Sequence, residues 1–339
     1  MSPDELRDRL QRFIAAATGA ADVRIEGLRK LPGGASRQTW SLDVAYRLDG
    51  VDTRLPLVLR RDPGSSTLNT QRSEEFRVQH AAYAEGVPVP RPYWMAADAE
   101  VLGSPSYFME RVEGETLPRR LLRDDVYAPA RVVMLGQLAE ILARIHRIDV
   151  ARHQLGFLPT PPAGESPALA ELDRYEQIFR GIAPEPHPAF ELAFRWLRAR
   201  LPSGAEATLV HGDYRIGNVI FGPEGVRAVL DWELAHVGDP AEDLGWLCVR
   251  AWRFGNDDMP AGGIGTREQL YAAYERAGGR RVDPARVRFW EVFGNLKWAI
   301  ICIAQARTHL DGLVRSVELA SLGRRTAETE LELLDLIEA

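Results

Sequence analysis

The chain has 339 residues, enough for two domains or lobes, and its 45% hydrophobic and 27% charged residues are an ordinary globular mix that excludes disordered and fibrous classes. A net charge of −6 without a basic block leaves no electrostatic footprint for nucleic acid. Only two of the 42 basic residues are lysine, and because Lys30 precedes Leu31 and Lys297 precedes Trp298 there is no Gly-Lys-Ser/Thr phosphate loop.

The first predicted element is an amphipathic helix over residues 2–18, with Ser2 as cap, Pro3 in the first turn and Glu5 completing a capping box. It does not read as a secretory segment. Strands follow at 23–28, 39–48 and 54–60. The Gly-rich turn Pro32-Gly33-Gly34-Ala35-Ser36 joins the first two, and Asp49-Gly50 is a hairpin signal between the second and third. Helical spacing runs over 69–85, and two more strands are predicted at 93–98 and 106–111. From about residue 115 the pattern becomes helical, at 129–146, 188–200, 240–250, 267–277, 284–310 and 314–337. One β island interrupts it, at 208–232. The longest uncharged apolar stretch, 298–306, is far short of the ~20 residues of a membrane span. Cys248 and Cys302 lie apart in apolar stretches, which suits a reducing compartment. A soluble cytoplasmic protein is expected, without membrane or nucleic-acid partners. The fold class expected is α+β in two lobes: a sheet lobe over 1–112, and a mostly helical lobe over 113–339 carrying a β-hairpin.

The β island holds His211-Gly212-Asp213-Tyr214-Arg215-Ile216-Gly217-Asn218, then a hairpin around Gly222-Pro223-Glu224-Gly225, then Asp231-Trp232-Glu233. Phosphoryl transfer from a magnesium nucleotide needs such a set. One carboxylate takes the proton of the acceptor hydroxyl, while an amide oxygen and a second carboxylate are hard ligands for Mg²⁺. The competing reading is a polar turn that caps a β-ribbon.

These motifs, with Gly238-Asp239-Pro240-Ala241-Glu242-Asp243-Leu244, resemble the aminoglycoside phosphotransferase and choline-kinase-like superfamily over residues 25–310. That superfamily has the protein-kinase-like fold. The variant motifs and the strand Val58-Leu59-Arg60-Arg61 are similar to the branch associated with acyl-CoA dehydrogenases, which implies a functional link to such an enzyme.

The resemblance implies Asp213 as catalytic base, Arg215 as a charge-neutralising partner of the transferred phosphate, and Asn218 and Asp231 as Mg²⁺ ligands. His211 is expected to orient the loop. Gly33, Gly34 and Ser36 match the nucleotide-covering loop. Arg60 stands in place of the usual phosphate-gripping lysine, with Glu75 as its partner, and Arg61 is the alternative if the strand register shifts by one. Backbone groups near Glu110 and Val112 would bind the base, which leaves ATP or GTP open. Asp239 and Asp243 are expected to brace the catalytic loop. Trp252, Arg253 and Lys297, with Trp290, Asn295 and Trp298, are candidate acceptor-pocket residues, Lys297 as an anchor for an acidic group.

The function expected is an ATP- and Mg²⁺-dependent transfer of the γ-phosphate to a hydroxyl of a small molecule, such as a hydroxy acid or hydroxyacyl compound. An antibiotic O-phosphotransferase and a catalytically silent nucleotide-binding protein are the alternatives. Trp232-Glu233 in place of Phe-Gly, and the missing activation segment, argue against a protein kinase.

Overall fold

The structure is a computed structural model that describes residues 2–31, 38–61, 72–183, 185–204 and 206–338. Gly33, Gly34 and Ser36 lie outside the described residues. The chain divides into two compact units, Met1–Glu113 and Gly114–Ala339.

The first unit is an antiparallel sheet in the order β1-β2-β3-β5-β4, formed by β1 (Val23–Lys30), β2 (Gln38–Leu48), β3 (Val51–Arg61), β4 (Pro92–Ala96) and β5 (Ser106–Glu110). Asp49 and Gly50 both have positive φ, 50° and 79°, the backbone that a two-residue hairpin needs to match strand twist. Helix α1 (Pro3–Thr18) buries Leu6, Leu10 and Ile14 in a cluster with Leu42, Val44, Leu57, Leu59 and Phe108. Ser2 accepts from the Glu5 N–H at 3.1 Å, while the Glu5 carboxylate pairs with Arg9. Val58 faces the opposite side, in a cluster with Tyr107, Met109 and Phe76 of α2 (Arg72–Ala84). A short helix α3 (Ala99–Leu102) links β4 and β5.

Side chains alternate along β3, so Arg60 shares the face of Val58 and looks toward α2. Arg61 shares the face of Leu57 and Leu59, where it donates to the Leu102 carbonyl at 3.0 Å and to Ser104 at 3.2 Å. The register thus decides between the two arginines, and Arg60 is the one that meets Glu75, at 2.9 Å.

The second unit is helical around two small ribbons. Its helices are α4 (Pro118–Arg123), α5 (Ala128–Ile145), α6 (Pro167–Ile182), α7 (Pro188–Arg198), α8 (Ala241–Cys248), α9 (Arg267–Arg276), α10 (Pro284–Leu310), α11 (Val317–Leu322) and α12 (Arg325–Glu338). Its strands are β6 (Thr208–Val210), β7 (Val219–Gly222), β8 (Gly225–Val229) and β9 (His236–Gly238), paired β6–β9 and β7–β8. The single helix expected over 314–337 is broken at Gly323, a weak helix former. Residues Asp125–Ile145 are long and apolar enough by length and composition to cross a membrane. Burial of Met134, Leu138, Leu142 and Ile145 makes this stretch a core helix of the unit. The ~40 Å helix α10 packs tightly on α8. A Cβ on Gly245 would lie 2.6 Å from the Trp290 Cβ, so only glycine permits this approach.

Candidate active site

The loop between β6 and β7 carries His211 to Asn218. Gly212 has φ 77°, and a Cβ there would lie 2.3 Å from the Leu234 carbonyl oxygen. Both requirements favour glycine, which lets the chain turn sharply before Asp213. The loop is fixed from beneath by Asp243 of α8, which is fully buried. Its carboxylate accepts the backbone N–H groups of His211 at 2.8 Å and Gly212 at 2.9 Å, and lies 3.1 Å from His146 Nε2. Burial by itself would raise the Asp243 pKa, but the hydrogen bond and charge of His146 hold it below the usual range.

The buried His211 ring accepts the Asp213 N–H at Nδ1 (3.2 Å) and donates from Nε2 to the Leu230 carbonyl (3.0 Å). Burial pushes its pKa down, so the ring is a neutral spacer between loop and ribbon, as its expected orienting role requires. Tyr214 fastens the loop to α5 through the Leu138 carbonyl at 3.0 Å.

Asp213 is half-buried and held by three donors. Arg215 Nε (3.0 Å) and Trp246 Nε1 (2.9 Å) reach Oδ1, and Asn218 Nδ2 reaches Oδ2 (2.6 Å). A carboxylate has about four acceptor sites, so one is left, on Oδ2. Asn218 spends its Nδ2 on Asp213, and among the described residues no donor reaches its Oδ1. The β7–β8 ladder sets Leu230 N–H on the Asn218 carbonyl at 2.8 Å, so Asp231, one residue on, emerges at the same end of the ribbon. Asp231 has φ 61°, rare for a residue other than glycine and a form of strain that gathers at functional sites. An amide oxygen and a carboxylate from one end of the ribbon are donor types that fit Mg²⁺.

In the first unit, buried Glu75 accepts the partly exposed Arg60 at 2.9 Å and the buried Arg72 and Tyr107 hydroxyl at 2.5 and 3.0 Å. A cationic fork presented on a strand and held by a buried acid suits phosphate.

A model of the "Phosphotransferase enzyme family" matches residues 27–290. The chain belongs to this phosphotransferase family. Acyl-CoA dehydrogenase family member 11 of Pongo abelii is 30% identical over 293 residues, covering 81% of this chain and 37% of that protein. Family member 10 of Mus musculus is 28% identical over 293 residues, covering 79% of this chain and 25% of that protein. The chain therefore spans about a quarter to three-eighths of the length of these relatives. Among solved structures, a Ralstonia eutropha protein named as a candidate aminoglycoside phosphotransferase superposes with a TM-score of 0.77 at 24% identity, covering 98% of each chain. A choline/ethanolamine kinase family protein from Mesorhizobium loti gives 0.59 at 17%, covering 98% of each. These likenesses establish the kinase-like α+β fold.

Against that family background, four expected pocket residues are placed elsewhere. Lys297 is 1% exposed and donates to the Gly212 carbonyl (2.9 Å) and Glu242 (3.1 Å). It is an interior ion-pair residue and not an anchor for an acidic ligand, because its partner lies across the helix contact on α8. Arg253 is buried with Cys248 O and Glu291 as partners. Trp252 is buried as a shelf beneath the Arg215 guanidinium, 4.5 Å from its ring centre. Trp290 is core and donates to Asp239, which also caps α8. Of the other candidates, Asn295 and Trp298 line a groove of about 770 Å³ within the second unit, with Leu117, Pro118, Arg119 and Phe254. In the first unit, the Glu110 N–H is taken by the Arg91 carbonyl (2.9 Å). The Val112 backbone makes no hydrogen bond among the described residues. Trp246 escaped the sequence reading; its only signal is its place one helical turn after Asp243.

Glu171, His236 and Glu242 bring three potential metal-ligating atoms within 4.8 Å. The Lys297 ammonium already supplies the cation there, 3.1 Å from Glu242, and His236 Nε2 lies 3.0 Å from the same carboxylate. Burial would lower the His236 pKa, but Glu242 overrides it and raises it to about 9. The folded state thus binds the extra proton between pH 6.5 and about 9, so this pair's stabilisation is whole below 6.5 and lost as pH rises through about 9. We expect a loss on the order of 3 kcal/mol in urea-unfolding free energy between pH ~6 and ~9.5, absent in His236→Gln. Equal pH slopes in the two proteins would contradict it.

Proposed function

We propose that the chain is an ATP- and Mg²⁺-dependent kinase that phosphorylates a hydroxyl of a small hydroxy acid or hydroxyacyl compound. The observation that carries the reading is the carboxylate of Asp213, held by three donors with one acceptor site left on Oδ2. That oxygen takes the proton of the acceptor hydroxyl as general base. Arg215 holds Oδ1 and keeps its remaining N–H groups for charge on the transferred group. Asn218 Oδ1 and the Asp231 carboxylate would hold Mg²⁺, which when bound neutralises charge on the phosphates. Arg60, fixed by Glu75, would grip phosphate oxygens, and the Val112 backbone would meet the base. Related folds support nucleotide use: an aminoglycoside phosphotransferase APH(4)-Ia variant has been solved with AMP-PNP and hygromycin B. Arg60→Ala is expected to weaken AMP-PNP binding roughly tenfold by calorimetry, and unchanged affinity would contradict the phosphate role.

The acceptor is read to enter by the groove of the second unit. Trp298 meets Trp252 edge-to-face with ring centres 4.8 Å apart, and Trp252 underlies Arg215, which ties the groove to the catalytic loop. Its walls are apolar at Leu117, Pro118 and Phe254, with Arg119, Arg120, Arg250 and Arg325 among them. Its acids are paired: Asp257 and Glu332 with Arg250, and Glu328 with Arg325. Arg119 is exposed and has no ion-pair partner among the described residues. Such a lining suits an apolar chain with an anionic end and disfavours a polycationic aminoglycoside. Arg119→Ala should raise the acceptor KM about tenfold with kcat unchanged. An unmoved KM would remove Arg119 from the acceptor site. The names of the relatives support the link to an acyl-CoA dehydrogenase, and the free, buried thiols of Cys248 and Cys302 support a cytoplasmic setting. Parallel assays of ATP consumption with a panel of hydroxy acids and with hygromycin B test the acceptor class. Turnover of the acids alone is expected; turnover of hygromycin B alone would overturn that class.

A further inference from the structure

We propose that Lys297 is a positioning residue that fixes the orientation of Asp213. The Gly212–Asp213 peptide is held at both ends: its carbonyl accepts Lys297 Nζ at 2.9 Å, and its N–H donates to His211 Nδ1 at 3.2 Å. The preceding N–H, that of Gly212, is held by Asp243. The same ammonium lies 4.8 Å from the centre of the Trp246 ring, and Trp246 Nε1 donates to Asp213 Oδ1 at 2.9 Å. Backbone and carboxylate of Asp213 are therefore both referenced to one buried charge. Glu242, His236, Glu171 and Tyr175 also face this ammonium.

Fold stability alone does not account for the lysine. Taking an ammonium out of water is costly, and an apolar side chain of similar length commonly replaces a buried ion pair without loss when both charges are removed. Glu242 already has His236 as a partner at 3.0 Å. What only a long cationic donor on α10 supplies is a hydrogen bond to the Gly212 carbonyl together with a charge under Trp246. A small displacement of a catalytic group is enough to lower turnover steeply.

The inference rests on Asp213 as the catalytic base, and its test separates the two. Lys297→Met alone keeps the Glu242–His236 pair but removes the donor to the Gly212 carbonyl and the second cation beside Glu242 and Glu171, and is expected to melt early. Lys297→Met/Glu242→Gln removes both charges and lets His236 share a neutral hydrogen bond with the glutamine. Trp246→Phe keeps the ion pair and deletes only the donor to Asp213. Three readouts are compared with wild type: calorimetric affinity for AMP-PNP, steady-state kcat and KM with MgATP and the hydroxy acid that wild type uses (or water, as ATP hydrolysis), and the ¹H–¹⁵N indole resonance of Trp246. The double variant should keep its AMP-PNP affinity and acceptor KM, lose about 10²-fold in kcat per folded molecule, and shift the Trp246 indole signal. Trp246→Phe should lose turnover to a similar degree. Wild-type kcat in the double variant, or an unmoved indole signal, overturns the positioning role. A wild-type protein without any turnover overturns Asp213 as base, and the indole resonance then decides the clamp by itself.

Discussion

Asp213→Asn is expected to lower kcat about 10³-fold while nucleotide affinity and fold are kept. The carboxamide fills the same space and its oxygen still accepts from Arg215 and Trp246, so the loop retains most of its hydrogen bonds. It cannot take a proton from the acceptor hydroxyl, and its NH₂ would oppose Asn218 Nδ2, which now donates to Oδ2 at 2.6 Å. The loss should therefore appear in kcat and not in AMP-PNP affinity or melting temperature. A variant with near-wild-type kcat would show that Asp213 orients the acceptor without accepting its proton.

The second large effect is on the fold. Asp243→Ala removes one buried acceptor that serves the His211 and Gly212 N–H groups and His146. No water reaches these donors easily, since Asp243 and His211 are fully buried and Gly212 lies against Leu234. At about 1–3 kcal/mol for each unsatisfied buried donor, the expected destabilisation is roughly 3–6 kcal/mol by urea unfolding. Asp243→Asn keeps one acceptor oxygen and should lose less. A destabilisation below about 1 kcal/mol would mean that the loop finds other acceptors.

How far these features were readable before the fold was known depended on the range of the interactions. The Asp49-Gly50 hairpin and the cap at Ser2 are local and could be read from residue type. Asp213, Asn218 and Asp231 were readable because a short ribbon brings them together within nineteen positions. The choice between Arg60 and Arg61 was not, because a one-residue shift turns a strand over and only the pairing of β3 with its neighbours settles it. Lys297 misled for a related reason. A lone charge in an apolar helix resembles a ligand anchor until its partners are known, and these lie 55 and 85 positions away, at Glu242 and Gly212. Trp246 belongs to no motif, and its contact with Asp213 exists only once α8 has packed beneath the loop.

The central claim is that this constellation transfers phosphate to a small hydroxyl, and ³¹P NMR of purified protein with MgATP and a pool of hydroxy acids tests it most directly. The account predicts loss of the ATP γ-resonance with growth of a phosphomonoester signal in wild type and neither change in Asp213→Asn. A phosphomonoester signal of equal size in both proteins, or binding of ATP without any transfer in wild type, would contradict it.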